Sequence, residues 1–301
     1  MIHSSLSSSP RPSLADAINQ VRTTGKADFL LASGQVAKLT RVKLLQNYES
    51  ILHMAGIEQV LGESIGLTPG SEGLKIANAE LSRFADVPAY WVMPLGERIH
   101  HARRLESLPV GLLNRVADLK VVRDAVMHGE LAAFGKETRK AIRQAYEDIL
   151  QHGMHTPTEA LRARIEAVSR AKADNASADE MLSTLRTLYQ AIESEVEIRT
   201  AIKEAGIFKG ILPHVESIFE LMRASDLHRK IFKRDNLAWK FRASALVRNH
   251  LVHGSILTPT KRQSDVVEQA HQLLGQAVTE LRFKQAGGRA SAGEFRNGIN
   301  L

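Results

Sequence analysis

Arg248-Asn249-His250-Leu251-Val252-His253-Gly254 is the stretch on which the reading of this chain turns, because an earlier stretch repeats its pattern. The first copy is Arg123-Asp124-Ala125-Val126-Met127-His128-Gly129, and the same 125 residues separate Arg123 from Arg248 and His128 from His253. Each copy has an Arg, a small polar residue, three mostly apolar residues, a His and a Gly. Gly is the usual residue just past a helix end, so both copies read as the last turns of helices. Residues four apart share a helix face, which is expected to turn Asp124 toward His128 and Asn249 toward His253. The long fork of the Arg can reach the same surface. Arg223 and His228 share the Arg-to-His spacing but have neither the Asn or Asp nor the Gly, and they fall outside the pattern.

The paired motif resembles the Arg-polar-x-x-x-His signature of the HEPN superfamily, whose members are small helical bundles, many of them metal-independent endoribonucleases. Family members usually dimerise so that two motifs face one RNA site. Two copies in one chain therefore imply an all-α protein, with two HEPN-like helical bundles packed as an intramolecular pseudo-dimer. The resemblance implies Arg123, His128, Arg248 and His253 as catalytic residues, supported by Asp124 and Asn249.

Composition fits that expectation without requiring it. A chain of 301 residues can bury one large core or two of about 120 residues each. Aromatic residues make up only 5%, while Ala, Leu, Arg and Glu abound, which favours helices over β-sandwiches. A net charge of +7 points to a polyanionic partner such as RNA. There is no Cys, so disulfides and thiolate metal sites are excluded and a reducing cytoplasm is the expected compartment. The Ser-rich start lacks the apolar segment of a signal peptide, and no apolar run reaches the roughly 20 residues of a membrane helix.

The expected organisation is a flexible segment over 1–27, a first helical domain over 28–153, a second over 154–285 and a flexible tail over 286–301. In the first domain, apolar spacing predicts helices over Val36–Met54 and Leu74–Phe84. Between them Gly62–Gly73 reads as a connector, since it lacks the Gly-Lys-Ser/Thr end of a P-loop. A structured turn is expected over Pro88–Pro94. Ser107 is expected to cap the first motif helix, with Pro109 in its first turn, and Lys136–Gln151 forms the next helix. In the second domain, Thr158–Ala173, Met181–Ala205, Ile207–Met222 and Ser264–Phe283 read as helices. Asp235 or Asn236 is expected to cap the second motif helix, Leu237–His253.

The most basic stretch carries Arg229, Lys230, Lys233, Arg234, Lys240 and Arg242, interleaved with Phe232, Trp239 and Phe241. Cations neutralise phosphates and aromatics stack on unpaired bases, so this is the candidate RNA-binding surface. The same pattern also suits an amphipathic segment with its aromatics in the core.

RNA supplies its own nucleophile, the 2′-OH, so the implied chemistry needs no cofactor and no metal. One His takes the 2′-OH proton and another donates to the leaving oxygen, while Arg steadies charge on the phosphate. The Asp124 carboxylate makes His128 the expected donor and His253 the expected acceptor. Products would be a 2′,3′-cyclic phosphate and a 5′-OH. By resemblance, the expected role is a toxin or an antiviral effector of abortive infection. Its partners would be an antitoxin or activating protein and a possible second copy of the chain. A non-catalytic HEPN-type regulator, or a basic helical nucleic-acid-binding protein, accounts for the composition equally well.

Overall fold

A computed structural model describes residues 13–30, 36–67, 75–76, 91–129, 131, 133–152, 155–173, 175–208, 215–233 and 235–296. Among these, eleven helices are joined by two short antiparallel strand pairs, so the all-α expectation holds. In chain order the first half runs α1 (Leu14–Thr24), β1 (Lys26–Leu30), β2 (Val36–Thr40), α2 (Arg41–Ser64), β3 (Lys75–Ile76), β4 (Trp91–Val92), α3 (Leu95–Arg104), α4 (Val110–Met127) and α5 (Lys136–His152). The second half runs α6 (Glu159–Ala171), α7 (Asn175–Glu204), α8 (Val215–Ala224), α9 (Leu227–Phe232), α10 (Leu237–Val252) and α11 (Lys261–Arg296). No described helix is long and apolar enough to cross a membrane.

The termini depart from expectation. Within the segment expected to be flexible, α1 is a docked helix that buries Leu14, Ile18 and Val21 at helical spacing. Ser13 caps it, accepting from the Asp16 N–H, and Gly25 ends it with a left-handed φ of 81°. An eleven-residue helix is marginal alone, so its order comes from packing against α7. At the other end, α11 continues to Arg296 where a flexible tail was expected. Residues 1–12 and 297–301 lie outside the described residues.

Several boundaries also move. Val36–Thr40 is not the start of a helix but a strand, pairing with β1 from Lys26↔Thr40 to Leu30↔Val36, and Thr40 then caps α2. Most of the helix expected over Leu74–Phe84 lies outside the described residues, but Lys75–Ile76 pair as a strand with Trp91–Val92. Pro109, not Ser107, takes the cap position of α4, and the Ser107 hydroxyl lies 3.5 Å from the Ala102 carbonyl. Asn236 takes the cap position of α10, but its side chain makes no cap hydrogen bond. Ile207 and Phe208 are not helical, and residues 209–214 lie outside the described residues.

Two long helices, α2 and α7, lie against each other at the centre. From Leu44 to Gly62 the buried positions of α2 cover every face, as befits a helix surrounded by others. It is covered by α3, α5 and α6, while α7 is covered by α1, α10 and α11. The short helix that precedes each long one in sequence thus packs chiefly on the other: α1 on α7, and α6 on α2. The main core accordingly runs from Leu14 to Val267 without a break at the expected 153/154 boundary. A second, smaller core gathers Ile198, Phe219, Phe232, Phe241 and Val278 under α8 and α9.

Glu193 on α7 holds the start of α1. Its carboxylate accepts from Ser13 Oγ at 2.8 Å and from the backbone N–H groups of Leu14 and Ala15. Burial pushes its pKa up to about 7, against the opposing pull of those hydrogen bonds. A raised folded value means the contribution of Glu193 is fully present below the unfolded value of 4.5 and fades as pH rises through about 7. Glu193→Gln, which stays neutral, should therefore flatten the pH dependence of the urea midpoint between these limits, an effect on the order of 2–3 kcal/mol. An unchanged profile would contradict this assignment.

Candidate functional site

The two motif helices end as their sequences require. His128 and His253 occupy the C-cap positions of α4 and α10, and Gly129 and Gly254 follow with φ of 72° and 68°. A Cβ on Gly129 would stand 2.3 Å from Val196 Cγ2, and one on Gly254 3.1 Å from the Ala55 Cβ. The first turn therefore presses against α7 and the second against α2. Gly129→Ala adds left-handed strain of about 1–2 kcal/mol to an overpacking cost of about 1–3 kcal/mol. Gly254→Ala shares the strain but meets a looser contact. Denaturant titration should rank Gly129→Ala as the more destabilising, and the reverse order would contradict the packing described.

Two buried carboxylates organise the cluster. On α2, Glu58 pairs with Arg123 Nη2 at 2.8 Å and accepts a hydrogen bond from His253 Nδ1. On α7, Glu195 pairs with Arg248 Nη1 and lies 3.2 Å from His128 Nδ1. The pairing is crossed: each carboxylate binds the Arg of one motif and the His of the other. Arg123, His128, Arg248 and His253 are thereby gathered around the contact between α2 and α7. Burial raises both carboxyl pKa values, but the neighbouring cations outweigh it. Glu58 is lowered to about 2, first by Arg123 and then by His253 and Arg98, and Glu195 falls well below the usual carboxylate range.

No family model, curated protein or solved structure matches this chain.

The polar residue that follows each Arg does not face the His. Asp124 accepts from Arg123 Nη1 at 2.9 Å and pairs with Lys120, while Asn249 accepts from Arg248 Nε and Nη2 at 3.2 and 2.9 Å. The expected contacts of Asp124 with His128 and of Asn249 with His253 give way because each His leaves its own helix at the C-cap and turns to the opposite long helix. The arginine forks are likewise directed at carboxylates and amides within the protein. With side chains 13% and 10% exposed, Arg123 and Arg248 are more covered than the 22% and 21% exposed imidazoles of His128 and His253. The imidazoles are thus the groups best placed to meet a ligand, with Nδ1 on the carboxylate and Nε2 on the far side of the ring.

Four residues of the cluster were not singled out from sequence: Glu58, Glu195, Arg98 and Arg199. Arg199 donates to Glu195 Oε1 at 2.6 Å, and Arg98 donates to the Glu58 carbonyl at 2.6 Å. For Glu58 the signal available was an acid inside an apolar helical run, and for Glu195 an Arg four residues on. His250, next to Asn249, is fully buried.

The basic stretch is divided between core and surface. Phe232 stacks on Phe219 and Phe241 packs tilted against it in the smaller core, so they are not platforms for bases. Trp239 is exposed, with the Arg242 guanidinium 5.7 Å above its ring. Arg229 is exposed and paired with Asp226, Lys230 and Lys233 are exposed, and Lys240 is half-buried. Arg234 lies outside the described residues. Trp239 stands near the start of α10 and His253 at its end, about 20 Å apart along the axis, so this surface does not adjoin the imidazoles.

Proposed function

We propose that this chain is a metal-independent endoribonuclease of HEPN type, its two halves acting as an intramolecular pseudo-dimer on one phosphate. The observation that carries the reading is the crossed pairing, in which Glu58 joins Arg123 to His253 and Glu195 joins Arg248 to His128. In the reaction, the ribose 2′-oxygen bonds to phosphorus and the bond to the 5′-oxygen breaks. One imidazole takes the 2′-OH proton and the other gives a proton to the departing oxygen. Glu58 orients His253 as the acid of a catalytic triad does, and Glu195 lies against the His128 ring. Arg98, Arg123, Arg199 and Arg248, with Lys120, outnumber Glu58, Glu195 and Asp124, and that local excess of positive charge favours a bound phosphate and its transition state. Under this reading the protein acts on RNA in the cytoplasm as a toxin or abortive-infection effector, restrained by an antitoxin or an activating protein. The exposed Lys230, Lys233 and Trp239 would hold RNA away from the cut.

One observation favours a second reading. The motif arginines are engaged inside the protein, so the cluster could serve only to lock the halves of a non-catalytic regulator or nucleic-acid-binding protein. The two are separated by incubating varied RNAs with the full chain in excess chelator. The ribonuclease reading expects cleavage that disappears in the His128→Ala/His253→Ala double variant while RNA binding persists. No cleavage by the unaltered chain, or cleavage only with a divalent metal, overturns it.

A further inference from the structure

Besides Asp124 standing where the other half has Asn249, the two half-sites differ in a guanidinium beside the carboxylate. Arg199 lies one turn after Glu195, its Nε and Nη2 both donate to Glu195 Oε1, and Nη2 also lies 3.2 Å from His128 Nδ1. The corresponding position, four residues after Glu58, is Gly62. A Cβ there would stand 3.1 Å from Arg98 Nη1, so a guanidinium fills the same space but arrives from α3. It is turned elsewhere: Arg98 Nη1 donates to the Glu58 carbonyl and Nε to the Met93 carbonyl at 3.0 Å.

This difference bears on where each imidazole keeps its proton. A guanidinium only donates, so the contact between Arg199 Nη2 and His128 Nδ1 is a hydrogen bond when Nδ1 is bare and a donor–donor repulsion when it is protonated. The competing contact, from His128 Nδ1 to Glu195 Oε1, is equally long at 3.2 Å. Glu195 is paired with Arg199 and Arg248, so it keeps its counter-charges when His128 Nδ1 does not donate. His253 meets the opposite condition. Its Nδ1 faces Glu58, whose carboxyl is held ionised and can only accept, so that nitrogen must donate.

We propose that the two imidazoles are held in opposite tautomers: His128 with its proton on Nε2, set by Arg199, and His253 with its proton on Nδ1, set by Glu58. Arg199 is thus a positioning residue that makes the two half-sites unequal. The functional consequence rests on the ribonuclease reading. His253 turns a lone pair toward the phosphate and takes the 2′-OH proton, while His128 turns an N–H toward it and, as the imidazolium with a second proton on Nδ1, gives the Nε2 proton to the 5′-oxygen and returns to a neutral ring.

The test needs no RNA, so its failure is distinct from failure of the ribonuclease reading. The full chain is labelled with ¹⁵N in histidine, and long-range proton–nitrogen spectra are recorded with the rings neutral, assigned through His128→Gln and His253→Gln. The expected spectrum has a bare Nδ1 in His128 and a protonated Nδ1 in His253. Arg199→Ala should move the His128 proton to Nδ1 and leave His253 unchanged, whereas Arg199→Lys, which still donates, should preserve both. The same tautomer in both rings of the unaltered chain overturns the proposal, as does an Arg199→Ala spectrum with His128 unmoved. If Arg199→Ala fails to fold, the spectrum of the unaltered chain decides alone.

Discussion

Substituting either His128 or His253 alone by alanine is expected to remove as much RNA cleavage as substituting both, a loss of about 10²–10⁴-fold. The expectation follows from the crossed pairing. His253 is held by the carboxylate that also holds Arg123, and His128 by the one that also holds Arg248. Groups that act as one unit on one reacting centre are strongly non-additive, so the second substitution finds little left to remove. Two separate sites behave differently, since each single variant would then retain about half the activity. Initial rates on one RNA, with folding checked by circular dichroism, distinguish these outcomes.

Glu195→Ala should produce the largest change in stability. The carboxylate is 1% exposed and holds Arg248 and Arg199, which its removal would leave as buried cations without their counter-charge. Breaking a buried pair in this way costs about 3–5 kcal/mol. Urea titration at neutral pH measures it, and a loss below about 1 kcal/mol would contradict the ion-pair geometry. The pH dependence has a definite sign. Both Glu58 and Glu195 have folded pKa values depressed below the unfolded value of 4.5, so their contribution is complete above it and fades as pH falls toward about 2. This runs opposite to Glu193, whose contribution fades as pH rises. A buried ion network adds less stability than apolar packing of the same volume, so stability alone does not account for this one.

The motif helices were legible in the sequence because what defines them is local: an apolar stripe, a terminal His and a Gly whose positive φ ends the helix. The helical class was legible from composition for the same reason. What escaped was non-local. Nothing near His128 in sequence names Glu195 as its partner 67 residues on, or joins His253 to Glu58 across 195 residues. A four-residue spacing suggested Asp124 instead, and the turn at the helix end overrode it. The helix α1 was missed because its order derives from α7 and Glu193, not from its own eleven residues. The interlocking of the halves was illegible for a related reason, since α1 and α6 pack chiefly on the long helix of the opposite half.

The most direct measurement of the central claim is the chemistry of the RNA ends left by the full chain in excess chelator. Attack by the 2′-oxygen, with one imidazole accepting and the other donating a proton, predicts 2′,3′-cyclic phosphate and 5′-hydroxyl ends. Ends carrying 3′-hydroxyl and 5′-phosphate would mean that water or another nucleophile opened the bond from the other side, and would contradict the account.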